Sequence, residues 1–366
     1  MSSNVIRKKQ LILLGGAVTL SVLYFVHATR YFLQDYMETK KLSCKEILES
    51  LQPPFKALLI DVPFLLDYQG NNCTLANLLD RPLRLAVLNN LTHETDEKYT
   101  VIRYEEEAPG RDYWLFHDNA TRAIYKLETF NLGNFLIPSD ASLFSEYWKR
   151  SSLLKCLNLD MKRTGNTSYL PPQASVDALS ELSNLLVSFG MYPFLNGGTL
   201  LGYYRECGVI PHTADMDLAV FVEQYNPDFL TSLEGNNSSF RIKRRLGTVN
   251  DGYEFTVCPR RYSRPVIDIF FMYNNGLNES WVGGTGGDGQ KYQYIYPLYN
   301  PWCSADLLGR LFWITCTPEE MLEFEYGPNW KRDHLTKRYS WNKSGHNVRK
   351  GSKWTESELK KVYVTY

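Results

Sequence analysis

An excess of charge of either sign is the first thing this sequence lacks. Its 40 Lys and Arg residues balance 40 Asp and Glu, for a formal net charge of zero. A neutral chain has no diffuse positive field of the kind non-specific nucleic-acid binding requires, so no nucleic-acid partner is expected. Cysteine is sparse: Cys44, Cys73, Cys156, Cys207, Cys258, Cys303 and Cys316, with no Cys-x-x-Cys among them. A compact zinc ribbon therefore has no local signature. No repeat of 20 to 50 residues is apparent. The glycine run "GGTGGDGQ", Gly283 to Gln290, lacks the Lys-Ser/Thr of a P-loop and reads as a flexible loop over a site. Acid and base are both missing from one long stretch, Leu11 to Ala28.

That stretch is the most informative absence. As a helix it spans roughly 27 Å, close to the thickness of a bilayer core. Arg7, Lys8 and Lys9 precede it, which places the N-terminus in the cytoplasm and the rest of the chain in a lumen. It reads as a transmembrane signal anchor. A cleaved signal peptide ending near Val26-His27-Ala28 is the rival, and the length of the run favours the anchor. Lumenal placement predicts glycosylation triplets, and they stand at Asn72, Asn90, Asn119, Asn166, Asn236, Asn237, Asn278 and Asn342. It also predicts disulfides. Six cysteines beyond the stem allow fifteen connectivities, and the sequence does not choose among them. Cys44, near the membrane, is a candidate link between two chains.

Apolar residues at 44% are enough for real cores, and 366 residues suit two folded units. The expected fold class is α/β (α+β). A cytoplasmic tail at 1–10, the anchor at 11–29 and a stem at 30–54 come first. A small α/β domain follows at 55–160, then a Gly/Ser/Thr/Pro-rich linker at 161–173. A mixed-sheet domain fills 174–366. Within that domain Val176, Leu179, Leu182 and Leu186 form one helical stripe, with Ser175 as N-cap and Gly190 at C′. A short strand, "YPFLN", leads into a Gly197-Gly198 turn and a helix, "TLLGYYREC", closed by Gly208. The strand "DMDLAVFV" places Met216, Leu218, Val220 and Val222 on one face and Asp215 and Asp217 on the other. "GTVNDG" is a hairpin turn. The later strand "PVIDIFFMY" carries Asp268 in an apolar run.

A carboxylate in an apolar strand is costly to bury without a partner. Asp215 and Asp217 on one face repel each other. A Mg²⁺ or Mn²⁺ ion held by Asp215, Asp217 and Asp268 resolves both problems, because such ions take oxygen ligands and share them with phosphates. Asp268 is alternatively the base that accepts a hydroxyl proton. Gly197 and Gly198 at a helix start expose backbone N–H groups suited to phosphate, with the Thr199 hydroxyl beside them and Arg205 along the same helix.

The stretch "GGTLLGYYRECGVIPHTADMDLAVF", followed by Asp268 and by "PEEMLEFEYGPNW", resembles the LicD family of nucleotidyltransferase-fold enzymes, most closely its fukutin branch. The resemblance implies a metal-assisted transfer of an alditol phosphate, ribitol 5-phosphate from CDP-ribitol or a related CDP-alditol. The acceptor it implies is a sugar hydroxyl on an O-mannosyl glycan of dystroglycan type, in the Golgi, with CMP leaving. Fukutin-related transferases or a second copy of the chain are the protein partners it implies. One departure stands out: many LicD-type sequences carry an acid two residues before the D-x-D, where this chain has Thr213 after His212. His212 is a phosphate contact or a base, with structural support the favoured role. Two other classes compete. A D-x-D glycosyltransferase using a nucleotide sugar would end its strand on the pair, whereas here the aspartates open the strand. A non-catalytic scaffold would leave the glycines and Asp268 without work.

Overall fold

The computed structural model describes residues 43–73, 81–91, 96–106, 110–164, 168–235, 238–276 and 278–366. The expected tail and anchor lie outside these, as do Asn166, Asn236 and Asn237. Among the described residues no helix is long and apolar enough to cross a membrane. The chain divides into two units, residues 1–104 with 127–145, and residues 105–126 with 146–366.

In the first unit a mixed sheet is built around Ala57–Leu59, buried along its length. This strand runs antiparallel to Leu83–Leu88 and parallel to Phe135–Pro138. Tyr99–Glu105 and Thr129–Leu132 extend the two edges. Helix Val62–Gly70 starts at Asp61, whose fully buried carboxylate caps Phe64 N–H and receives the Arg81 fork at 2.5 and 2.6 Å. Cys44 opens helix Cys44–Ser50 and is bonded to Cys73 of the same chain. The expectation of a link between two chains through Cys44 is thereby corrected.

The second unit holds the glycine and aspartate motifs. Helix Pro172–Ser188 buries Val176, Leu179, Leu182 and Leu186 completely. It starts three residues before the expected N-cap because Pro172 has its φ preset for a first helical turn, so Ser175 lies inside the helix. Gly190 follows the helix at φ +75. Helix Gly197–Glu206 begins on the glycines themselves and ends at Cys207, left-handed at φ 55 and bonded to Cys156. The expected stop at Gly208 thus falls one residue early. A third disulfide joins Cys303 to Cys316, and Cys258 is free and buried.

The sheet that carries the aspartates is ordered Phe240–Thr248, Asp251–Pro259, Val266–Asn274, Asp215–Phe221, Phe194–Leu195. The pair Asp215–Phe221 and Val266–Asn274 is parallel. A parallel pair needs a crossover; helix Pro227–Glu234 and the Phe240–Pro259 hairpin fill it. The hairpin turns at Val249-Asn250. One sheet face is apolar: Met216, Leu218, Val220, Ile267, Ile269 and Phe271 are all buried. Val222 has left the strand for a 3-10 turn. "GGTGGDGQ" is a strand end and a tight hairpin: Gly283–Thr285 belong to strand Glu279–Thr285, and Gly289 N–H bonds Gly286 C=O at 2.9 Å. It is not the loose loop expected.

Candidate active site

Strand periodicity and register bring the aspartates together. Asp217 stands beside Asp268 on the neighbouring parallel strand, and Asp215 is two residues earlier on the same face. The glycine helix closes on them. Gly198 N–H donates to Asp217 Oδ2 at 2.9 Å, and Asp217 N–H donates to Thr199 Oγ1 at 2.7 Å. Gly197 has φ +49, and a Cβ there would lie 3.1 Å from Asp217 Oδ2. The double glycine is thus required by the close approach of Asp217, and the Gly198 N–H and Thr199 hydroxyl expected to meet a phosphate are engaged with Asp217 instead. Thr213, which stands where many LicD-type sequences have an acid, donates its hydroxyl to Asp215 Oδ1 at 3.1 Å.

The cluster is larger than the sequence suggested. Glu254, on the strand antiparallel to Val266–Asn274, and Glu325, on helix Pro318–Tyr326, are both buried. Burial pushes the Asp217 carboxyl well above its ordinary range, with Asp215, Asp268 and Glu325 adding repulsion. Burial lifts Asp268 to about 6 against a hydrogen bond from the Thr256 hydroxyl. It lifts Glu254 to about 8, with Asp268 adding to the shift. Glu325 rises to about 7 by burial, although Tyr296 donates to it at 2.8 Å. Four neighbouring acids, each pushed up chiefly by burial, thus share this site. Both missed glutamates did carry a signal. Glu254 interrupts the apolar strand "YEFTVC" as Asp268 interrupts its own. Glu325 falls on the buried helical stripe of Met321 and Leu322.

Two expected phosphate contacts lie elsewhere. Arg205 is 2% exposed. Its guanidinium donates to the Trp330 and Arg332 carbonyls at 3.3 and 3.0 Å and to Glu206 Oε1 at 2.6 Å. His212 contacts Asp333 through Nε2 at 3.0 Å and the Thr336 hydroxyl through Nδ1 at 2.8 Å. Arg163 bridges Glu206 and Asp333, and holds the Asp333 carboxyl below its usual range with help from His212. Arg205 and His212 therefore fasten the 330–336 segment to the glycine helix: for Arg205 this replaces the expected phosphate contact, and for His212 it is the structural support already favoured. Among the possible glycan sites, Asn342 already donates its amide to Tyr292 at 3.3 Å and accepts from Ser340 at 2.8 Å.

Asp215, Asp217 and Asp268 place three oxygen-donor carboxylates on one face, the ligand type that a hard divalent cation takes. Among the described residues no three acid, histidine or cysteine side chains converge as a finished ion cage. Asp217 is turned to Gly198 and Asp268 to Thr256. The fit is one of chemistry and placement.

This architecture defines a class. Residues 190–316 match the LicD/FKTN/FKRP nucleotidyltransferase domain, and residues 43–155 match the W02B3.4-like N-terminal domain. The chain is 42% identical to Caenorhabditis elegans W02B3.4 over 333 residues, 88% of this chain and 85% of that one. It is 40% identical to T07A5.1 of the same organism over 345 residues, 90% of each. The chain belongs to this W02B3.4-like family, whose C-terminal part here is a LicD-type nucleotidyltransferase domain. It is also similar to ribitol-5-phosphate transferase FKTN of Mus musculus, 29% identical over 244 residues, 64% of this chain and 51% of that one. The chain thus spans about half the length of that relative.

Proposed function

We propose that this protein is a phosphotransferase that moves an alditol phosphate, ribitol 5-phosphate from CDP-ribitol, onto a sugar hydroxyl of a protein O-mannosyl glycan in the Golgi lumen, releasing CMP. The observation that carries the reading is the alignment of Asp217 with Asp268 behind the Gly197-Gly198 helix start. The name of the FKTN relative supplies the transferred group, ribitol 5-phosphate. Asp215, Asp217 and Asp268 would hold Mg²⁺ or Mn²⁺, which when bound neutralises phosphoryl oxygens. Gly198 N–H and the Thr199 hydroxyl fix the Asp217 strand against the helix. Thr213 orients Asp215, and Thr256 orients Asp268. The aspartates open their strand, which is the feature that separates this site from a D-x-D glycosyltransferase. The uncharged run at Leu11–Ala28 supports a type II anchor.

The test is turnover by the full chain purified from a secretory host. CDP-ribitol, CDP-glycerol, CDP-choline and UDP-sugars are offered with an O-mannosyl glycopeptide and Mg²⁺ or Mn²⁺. The expected result is a cation-dependent mass gain of one alditol phosphate with CMP release. Asp217→Asn should reduce it about a thousandfold, the order seen when charge stabilisation at a phosphoryl centre is lost. Sugar transfer from a UDP donor would move the protein to the glycosyltransferases. Absence of both turnover and cation binding would make it a scaffold.

A further inference from the structure

One row of side chains crosses the carboxylate face of the sheet. Asp217 stands beside Asp268, Asp268 opposite Thr256, and Thr256 opposite Arg244. Hydrogen bonds link the far end: Thr256 Oγ1 donates to Asp268 Oδ1 at 2.6 Å and accepts from Arg244 Nη2 at 3.1 Å. A row that begins with acids thus ends in a guanidinium, one hydroxyl away from Asp268.

That guanidinium is under-used. Its Nε is buried with no hydrogen-bond partner. Nη2 also forms an ion pair with Glu254 Oε1 at 3.6 Å, too long for a hydrogen bond. The side chain is 36% exposed. An arginine offers five N–H donors in a planar fork. Arg205 and Arg163 direct theirs to protein oxygens, whereas Arg244 has one hydrogen bond, to Thr256, one ion pair, to Glu254, and a partly exposed guanidinium. Its neighbour Arg245 pairs opposite Phe255 and Val364, and so faces away from the carboxylates.

We propose that Arg244 is the phosphate-binding residue of this site, its open guanidinium edge taking the diphosphate of a nucleoside-diphosphate-linked donor beside Asp217 and Asp268. The assignment rests on the proposed phosphotransferase reading and names the residue that would meet the donor's phosphates. A guanidinium matches two phosphate oxygens at once. Thr256 supplies the orientation: with its proton given to Asp268, its lone pair holds the fork at a fixed angle. A purely structural Arg244 would instead serve to neutralise Glu254 and Asp268.

Calorimetry with CDP and Mg²⁺ on the full chain separates these roles. Arg244→Gln should weaken CDP binding about tenfold to a hundredfold, the range for one charge-assisted fork contact. Arg244→Lys should recover part of it, and Arg245→Gln should bind as wild type. Circular dichroism and melting curves check that each variant is folded, and Arg244→Lys carries the test should Arg244→Gln not fold. Equal CDP affinity in wild type and the folded Arg244 variants would overturn the proposal, as would tighter Mg²⁺ binding with CDP affinity unchanged. Wild type that binds CDP through Arg244 yet transfers no alditol phosphate would sink the phosphotransferase reading and leave this assignment standing. Transfer by wild type with Arg244→Gln unchanged in CDP affinity would do the reverse.

Discussion

At Gly197 two demands meet in one residue. The backbone is left-handed at φ +49, and a Cβ would press on Asp217 Oδ2 at 3.1 Å. Gly208, just beyond the other end of the same helix, would place a Cβ no nearer than 3.8 Å to its nearest neighbour, the Glu206 carbonyl, at ordinary contact distance. Gly197→Ala should therefore destabilise the protein by about 1 kcal/mol or more and displace Asp217, whereas Gly208→Ala should be close to neutral. Thermal melts with turnover measured alongside check this. Equal losses at the two positions would show that the Asp217 approach is not what demands glycine.

At the scale of elements, the glycine helix is tied to the 330–336 segment by Arg163, Arg205, Glu206, His212 and Asp333. Asp333 titrates below its ordinary range, chiefly through the hydrogen bond from Arg163. A depressed carboxyl contributes stability that is present above its unfolded pKa near 4 and is lost as pH falls through the folded value. Wild type should therefore lose stability on acidification below about pH 4, and Asp333→Asn should lose less over that range while being weaker at neutral pH. Denaturant unfolding at several pH values measures both slopes, and parallel slopes would remove Asp333 from the account. This lattice also shows where sequence stops being legible. The helix stripe, the D-x-D strand, the hairpin and the Asp268 strand follow from local periodicity, and all appear in the structure. The partners of His212 lie 121 and 124 residues along the chain. No local pattern announces such distances, so the partners of His212 stayed hidden and Arg205 looked like a free cation near a phosphate. Arg244 gains its place only through register, which sets it opposite Thr256.

For the whole molecule, the three disulfides close loops with separations of 29, 51 and 13 residues. One lies in the first unit and two in the second. Connectivity was the part of the sequence with least information, because spacing alone cannot rank pairings whose halves are brought together only by tertiary folding. Cys207 illustrates this: it caps the glycine helix in a left-handed conformation while reaching Cys156. Fixing the end of the helix whose start contacts Asp217 gives that bond a role at the candidate site. Cys207→Ser should cost about 2–4 kcal/mol, the usual loss for a disulfide closing a loop of this order. Non-reducing peptide mapping should recover the pairs 44–73, 156–207 and 303–316. Cys258, fully buried, should be alkylated only after denaturation. Reducible dimers on a gel, joined through Cys44, would contradict the pairing in the first unit. A Cys258 that reacts in the native protein would contradict the packing of strand Asp251–Pro259, and with it the placement of Glu254 and Thr256 in the acidic row.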